Sequence, residues 1–129
     1  GETFINLGLI PGDGGAWFLQ RLIGYQKAAE LTFTGEVIDA DKAQAYGIVL
    51  RVVAEDELLH SVNTLATEIS SKPHYAIRAT KRLMKSAPTL GLADFLTQCA
   101  KEQGECHQQP EHLIAVSHML SKVSNKKAP

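Results

Sequence analysis

Apolar residues in the second half of the chain recur at helical spacing. After Glu55 they return every three or four residues, the period that places them on one face of an α-helix. We expect this helix to end before Pro73, because proline disfavours helical backbone in the residue before it. The face that we expect to be buried comprises Leu58, Leu59, Val62, Leu65, Ala66 and Ile69.

The same period predicts three further helices, so the chain is predicted to be mainly α. One runs from about His74 to Ser86, one from Leu92 to about His107, and Pro110 opens the last at its first turn. The side chains expected to face a core are Ile77, Thr80, Leu83 and Met84 on the first, Leu92, Phe95, Leu96, Cys99 and Gln103 on the second, and Leu113, Val116, Leu120 and Val123 on the third.

Glycine separates the shorter elements of the first half. Residues 11–15 combine proline with three glycines and predict a tight turn, after which residues 16–23 have helical spacing. A second helix is predicted over Tyr25–Thr34, and a third, short helix is predicted after Asp39, which is a favourable N-cap residue. These three helices are expected to stop at Gly24, Gly35 and Gly47, respectively.

Two segments have the composition of β-strands. Residues 3–10 are apolar and look extended, and residues 48–53 are a run of β-branched and aliphatic side chains. Two short strands do not form a stable sheet by themselves. We therefore expect them to complete a sheet whose other strands are encoded upstream of Gly1. The absence of an initiator Met at Gly1 fits this expectation.

Composition excludes several classes of partner. The net charge is −1 with both signs interspersed, so no basic stripe is available for nucleic acid. The apolar runs are far shorter than the roughly 20 residues of a membrane span, which predicts a soluble protein without a membrane partner. Cys99 and Cys106 lie seven residues apart on one predicted helix, about 10 Å along its axis, too far for a disulfide. Reduced thiols fit a cytoplasmic location.

Thiol and imidazole groups near the end of the chain raise the hypothesis of a zinc site. Cys106, His107, His112 and His118 are residue types that zinc prefers. His112 and His118 are six residues apart, which places them on different faces of one helix. We therefore expect no metal site, and interpret the histidines as solvated side chains of the helix surface.

Several sequence blocks, taken in order, resemble one enzyme family. Residues 4–15 read FINLGLIPGDGG and residues 19–24 read LQRLIG, which resembles the signature of the enoyl-CoA hydratase/isomerase (crotonase) family. Matching blocks continue through residues 28–53 and around Lys72. The resemblance implies the C-terminal helical domain of a crotonase-like ββα superhelix with two short residual strands. Residues 1–53 would be the tail of the catalytic domain and residues 54–129 a C-terminal helical oligomerisation domain.

The resemblance also implies a chemistry. Family members act on enoyl-CoA thioesters through an enolate held in an oxyanion hole, and both amide donors and the first catalytic Glu lie upstream of the segment that matches Gly1. The full-length protein is accordingly expected to be a hydratase or isomerase of fatty-acid metabolism, and this part alone to be inactive. No cofactor is expected beyond the coenzyme A that the substrate carries. A homo-oligomer, trimer or hexamer, is the expected assembly.

The resemblance assigns site residues only at positions that correspond to the family motif. The second catalytic Glu of typical hydratases aligns with Phe4, which is a departure from the pattern. Glu2 lies two residues away, and Asp13 lies one residue past Gly12, where some family members carry a catalytic Asp. Glu2 and Asp13 are thus the catalytic candidates, although Asp13 is better explained as a helix cap. Phe4, Pro11 and Gly12 are predicted to line the substrate site.

The last helix carries the predicted coenzyme A contact. In the family an aromatic residue covers the adenine and a Lys three residues later lies near the phosphates, positions that match Met119 and Lys122. Val123 stands where the family usually has Arg, which would weaken the grip on the phosphates. A rival interpretation is a non-catalytic helical interaction module derived from the same fold, and Phe4 in the place of Glu favours it.

Overall fold

The structure is a computed structural model that describes the backbone of residues 1–125 and the side chains of residues 1–122. It divides into two compact units, a first unit of residues 1–58 and a second unit that begins at Leu59. The predicted division at residue 53 into a catalytic tail and an oligomerisation domain concerns function, and it stays a prediction. The predicted packing of Val123 concerns a side chain outside the described residues.

Three glycine-terminated helices form most of the first unit. They are α1 (Gly15–Ile23), α2 (Tyr25–Thr34) and α3 (Ala40–Tyr46), and they end at Gly24, Gly35 and Gly47 as predicted. Asp39 caps α3, since its carboxylate accepts a hydrogen bond of 2.8 Å from the Lys42 amide. α2 packs against α1 and supplies the buried side chains of this unit, Ala28 and Leu31.

The prediction of strands is wrong in both segments. Thr3–Leu7 is a 3₁₀ helix that ends at Gly8, and residues 48–53 form no regular element. No strand occurs anywhere in residues 1–125. The reason is that strand backbone needs a partner, whereas the first segment satisfies its amides locally: Gly8 and Leu9 donate to the carbonyls of Ile5 and Phe4, both at 3.0 Å.

Four α-helices, α4 to α7, follow in the chain. A 3₁₀ turn at Glu55–Glu57 leads into α4 (Leu58–Ser70), and α5 (His74–Ser86), α6 (Leu92–His107) and α7 (Pro110–Asn125) have the bounds predicted from the sequence. α5 packs against α6, and α6 against α7. Cys99 and Cys106 are both free thiols. Among the described residues no helix is long and apolar enough to cross a membrane.

The prediction of which apolar side chains are buried is wrong for most of these helices. Periodicity identifies the apolar face of a helix but not what covers that face, and the one buried side chain found in residues 59–122 is Ala79, which is 2% exposed. The residues predicted to be buried but found exposed are Leu58, Leu59, Val62, Ala66, Ile69, Ile77, Thr80, Met84, Leu92, Leu96, Gln103, Leu113, Val116 and Leu120.

Candidate functional site

Two carboxylates lie against Gly15 at the start of α1. Asp13 accepts a hydrogen bond of 2.9 Å from the amide of Gly15, the first residue of the helix. The N-cap position itself is Gly14, so Asp13 caps the helix from one residue further out than predicted. Its negative charge lies at the positive end of the helix dipole, which stabilises α1.

The side chain of Glu2, which directly precedes the 3₁₀ helix Thr3–Leu7, also lies against Gly15. Its carboxylate packs so closely on Gly15 that a Cβ there would overlap it. The Oε2 atom is buried and has no hydrogen-bond partner among the described residues. A buried carboxylate oxygen without a partner is costly unless a ligand or a proton satisfies it. The described residues therefore leave one carboxylate oxygen of Glu2 unsatisfied.

An apolar cavity of about 320 Å³ lies beside this carboxylate. Its wall consists of Glu2 and Gly1 together with Leu19, Leu31, Ile38, Ala43 and Ile48. Within the described residues, Glu2 is the acidic member of this lining. The arrangement can therefore hold a carboxyl group next to an apolar chain.

The other predicted site residues of this unit do not share the cavity. Phe4 and Pro11 are half-buried, Gly12 is exposed, and the described lining includes none of the three. The amide of Gly12 donates to the carbonyl of Ile10 at 2.8 Å, which closes the turn before α1. The structure thus brings Glu2 and Asp13 together at Gly15, a convergence that the sequence analysis missed because it depends on how separate segments pack.

Met119 and Lys122 line a cleft of about 680 Å³ in the second unit. The cleft lies between α7 and the connection from α4 to α5. Its remaining lining residues are Ser70, Ser71, Lys72, Pro73, His74, Glu111, Ile114, Ala115 and His118. The predicted pair of a soft apolar side chain and a lysine is therefore part of a larger concave surface.

Basic side chains dominate the charge of this cleft. Lys72 and His74 come from the α4–α5 connection and the start of α5, and His118 and Lys122 are one turn apart on α7. None of the four makes an ion pair or a side-chain hydrogen bond within residues 1–122. The four-residue spacing that places His118 and Lys122 on one face of α7 can be recognised in the sequence. The position of Lys72 in the same cleft is evident only from the fold.

The one carboxylate in the described lining of the cleft is already engaged. Glu111 Oε2 accepts a hydrogen bond of 3.2 Å from the Tyr75 amide in the first turn of α5. The protein thus supplies its own anion to the start of that helix, where backbone amides lack helical partners. The free positive charge of the cleft is consequently carried by the side chains of Lys72 and Lys122.

The candidate zinc ligands separate into different places. His107 and His112 face one another, with Nδ1 of the first 3.1 Å from Nε2 of the second, while His118 lines the cleft. Among the described residues no group of three or more His, Cys, Asp or Glu side chains is arranged to hold a metal ion.

Comparison with known proteins decides the family. Residues 1–118 match the model of the enoyl-CoA hydratase/isomerase family. The chain belongs to the enoyl-CoA hydratase/isomerase family. The resemblance read from residues 4–53 is thereby confirmed.

Relatives of the chain carry the names of a hydratase and of an isomerase that act on different CoA thioesters. The chain is 44% identical over 85 residues to a short-chain-enoyl-CoA hydratase of Clostridioides difficile, a match covering 66% of this chain and 55% of the relative. It is 33% identical over 122 residues to the 1,2-epoxyphenylacetyl-CoA isomerase of Escherichia coli, covering 95% of this chain and 47% of the relative. The chain therefore spans about half the length of these relatives.

A solved structure supports the fold. The crystal structure of an enoyl-CoA hydratase from Bacillus anthracis matches 93% of this chain and 46% of its own chain, with a TM-score of 0.86 and 30% sequence identity. The enoyl-CoA hydratase/isomerase chain described here therefore has the C-terminal helical portion of a crotonase fold, which confirms the predicted fold class apart from its two strands. The rival interpretation, a non-catalytic helical module, is not favoured by these matches.

Proposed function

We propose that the whole protein to which this chain belongs converts enoyl-CoA thioesters, as a hydratase or an isomerase. The observation that carries the proposal is the match of residues 1–118 to the enoyl-CoA hydratase/isomerase family. A relative named as a short-chain-enoyl-CoA hydratase supports this choice of substrate class. No cofactor is needed beyond the coenzyme A of the substrate.

Glu2 is the proposed proton-carrying group of this chain. Its support is the buried, unpartnered Oε2 atom beside an apolar cavity. Phe4, which aligns with the second catalytic Glu of typical hydratases, has no proton to give or accept. Asp13 is a weaker candidate because its carboxylate already holds the Gly15 amide. The amide donors that would stabilise an enolate are expected upstream of Gly1, and such donors typically contribute the largest electrostatic share of catalysis.

The second unit is proposed to bind the coenzyme A end of the substrate and to assemble the protein. Met119 and Lys122 share a cleft whose wall is partly apolar and partly basic, which suits a flat ring next to phosphates. Assembly into a cytoplasmic trimer or hexamer is supported by the exposed apolar side chains of α4 and α7, since large accessible apolar surface marks interaction sites.

Turnover assays test the catalytic part of the proposal. The whole protein is incubated with a 2-enoyl-CoA and, separately, a 3-enoyl-CoA, and the conjugated thioester is followed by its absorbance. We expect Glu2→Gln to lower kcat by about 10² to 10⁴, the usual contribution of general acid–base catalysis. Asp41→Asn, a matched change in the first turn of α3, should leave kcat unchanged.

Three outcomes count against the proposal. If neither thioester is converted and calorimetry detects no coenzyme A binding, the proposed function is wrong. If turnover is present but Glu2→Gln retains the full kcat, Glu2 is not the proton-carrying group. If sedimentation finds only monomer, the proposed assembly is wrong.

A further inference from the structure

Two imidazole rings face one another across the turn between α6 and α7. Nδ1 of His107, the last residue of α6, lies 3.1 Å from Nε2 of His112 in the first turn of α7. The two rings are perpendicular, and their centroids are 4.6 Å apart. Spacing in the sequence separates His112 from His118, but the fold pairs it with His107. The proposed function gives this pair no role.

The distance between the two nitrogens suits a shared metal ion. Histidine nitrogens lie about 2.0 to 2.1 Å from zinc, so two ligands 3.1 Å apart subtend an angle of about 95 to 102° at the metal. That angle lies between those of square-planar and tetrahedral sites. In a straight hydrogen bond both centroids would lie behind their nitrogens on one line, a full ring diameter further apart than the nitrogens. The centroids are closer than that, so at least one ring is turned off the line.

Tyr75 holds both helix ends that carry the histidines. Its hydroxyl donates to Glu105, two residues before His107, at 2.5 Å. Its amide donates to Glu111, one residue before His112, at 3.2 Å. The end of α6 and the start of α7 are thereby fastened to the start of α5. A site whose ligands are positioned in advance loses less entropy when an ion binds, and the two carboxylates add a negative potential that favours a cation.

The second ring nitrogen of His107 has a neighbour that can hold its proton. The side-chain amide of Gln103, one turn earlier on α6, lies 3.5 Å from His107 Nε2. Rotation of this amide places its oxygen there, where it accepts the Nε2 proton and leaves Nδ1 with a lone pair. Hydrogen bonds of this kind orient the histidines of metal sites. Gln103 is therefore assigned as a positioning residue.

We propose that His107 and His112 form an open site for a divalent late transition-metal ion, with Cu²⁺ as the tightest binder and water in its remaining positions. In the part of the chain that the structure describes, no third His, Cys, Asp or Glu joins the pair, so the site is not a closed structural centre. Imidazole suits copper, nickel and zinc, whereas magnesium and calcium take oxygen ligands. His107 is exposed and His112 is half-buried, so an ion can reach the pair from solvent. The proposal departs from the expectation of no metal site, which paired His112 only with His118.

Calorimetry on the whole protein, first freed of metal by a chelator, tests the proposal with CuCl₂ as the probe and MgCl₂ as the comparison. We expect His107→Asn and His112→Asn each to weaken Cu²⁺ binding at least about tenfold, since even the loss of a residue that orients a ligand costs about 10 to 100-fold. The electron paramagnetic resonance spectrum of the bound Cu²⁺ should show two nitrogen ligands and lose one of them in either variant. His60→Asn, a change of an exposed histidine on α4, is the matched control and should alter neither measurement.

Four outcomes would count against the proposal. Unchanged Cu²⁺ affinity in both asparagine variants overturns it, and an equal loss in His60→Asn shows only adventitious binding by surface histidines. Binding of Mg²⁺ as tight as that of Cu²⁺ overturns it as well. Cys106→Ser should leave the affinity unchanged, and loss of binding in this variant would make the thiol a ligand in place of the two-imidazole site.

Gln103 has its own test. Gln103→Leu should weaken Cu²⁺ binding about tenfold, the lower end of the effect of an orienting residue. Gln103→Glu should restore the affinity, because a carboxylate oxygen can accept the same proton from His107 Nε2. Equal losses in the two variants overturn the positioning role of Gln103.

Discussion

The two units of the chain fix their helices by different means. All positive-φ residues found in residues 1–125 are glycines of the first unit, and they include the residues that end α1, α2 and α3. In the second unit Tyr75 Oη donates to Glu105 at 2.5 Å, and Arg82 forms two hydrogen bonds with Glu102, which join α5 to α6. Glycines thus end the helices of the first unit, where Tyr46 Oη also donates to Glu30 at 3.2 Å, whereas the described helices of the second unit have no such glycines and side-chain pairs join α5 to α6.

The candidate sites show the same difference. In the first unit, Glu2 can reach the start of α1 because Gly15 has no side chain in its way. In the second unit, the cleft gains its character from charged side chains that converge from separate elements. The candidate site of the first unit depends on the absence of a side chain at Gly15, whereas the cleft of the second unit depends on the charged side chains that line it. Substitution of a glycine by alanine should therefore act in opposite ways in the two units.

Substitution of one glycine in each unit should give the largest contrast. Gly35 has a φ of 63°, and a Cβ there would lie 2.6 Å from Asn6 Nδ2, whose amide donates to the Gly35 carbonyl. We expect Gly35→Ala to lower the free energy of unfolding by about 1 to 3 kcal/mol, from backbone strain and the displaced Asn6. Urea unfolding measures the change.

Gly104→Ala is the matched change in the second unit. Gly104 lies within α6, its φ is not positive, and nothing is within 4 Å of the position of an added Cβ. We expect this substitution to raise the free energy of unfolding by about 0.5 to 1 kcal/mol, because alanine favours a helix interior. If both variants shift stability in the same direction, the contrast between the two units is wrong.

Local signals in the sequence predicted the helices better than the strands. Glycine and proline mark helix ends through the backbone of one or two residues, so the bounds of α2, α5 and α6 could be predicted. Residues 48–53 have strand composition, but strand formation depends on a distant partner that local sequence does not name. The same distinction between local and distant contacts applies to the candidate site residues. The placement of Asp13 at the start of α1 is local and was predicted to within one residue, whereas the placement of Lys72 and His118 in one cleft depends on packing.

Removal of the α3 cap should have the next largest effect. Asp39→Ala removes the carboxylate that accepts from the Lys42 amide, and we expect a loss of about 1 kcal/mol in the free energy of unfolding. Asp39→Asn is the control, since an asparagine oxygen can accept the same hydrogen bond. Equal losses in the two variants would show that the charge of Asp39, and not its capping oxygen, stabilises this turn.

The Tyr75–Glu105 pair should contribute less and should depend on alkaline pH. Its hydrogen bond to Glu105 and its burial raise the pKa of Tyr75. The stabilisation is therefore fully present below the ordinary tyrosine pKa of about 10 and is lost as the pH rises through the higher folded-state pKa. Tyr75→Phe should lower the thermal unfolding midpoint at pH 7, and the difference from the native protein should shrink above pH 10.

Tyr25→Phe in the first unit is the control for that change. The Tyr25 side chain is exposed and its hydroxyl makes no hydrogen bond among the described residues, so its removal should leave the midpoint unchanged at every pH. A loss as large as that of Tyr75→Phe would mean that general effects of the hydroxyl, and not the bond between α5 and α6, explain the result.

The Arg82–Glu102 pair should have the smallest effect, confined to acid pH. The hydrogen bonds from Arg82 lower the pKa of Glu102, so this stabilisation is present above the ordinary glutamate pKa of about 4.3 and is lost as the pH falls through the lower folded-state pKa. Arg82 is half exposed, which lets solvent and salt screen the pair. Arg82→Met should therefore lower the unfolding midpoint slightly at pH 6 and not at pH 2, with Arg78→Met as the control on the same helix. If the two variants give the same profile, side-chain pairing between α5 and α6 does not include this ion pair.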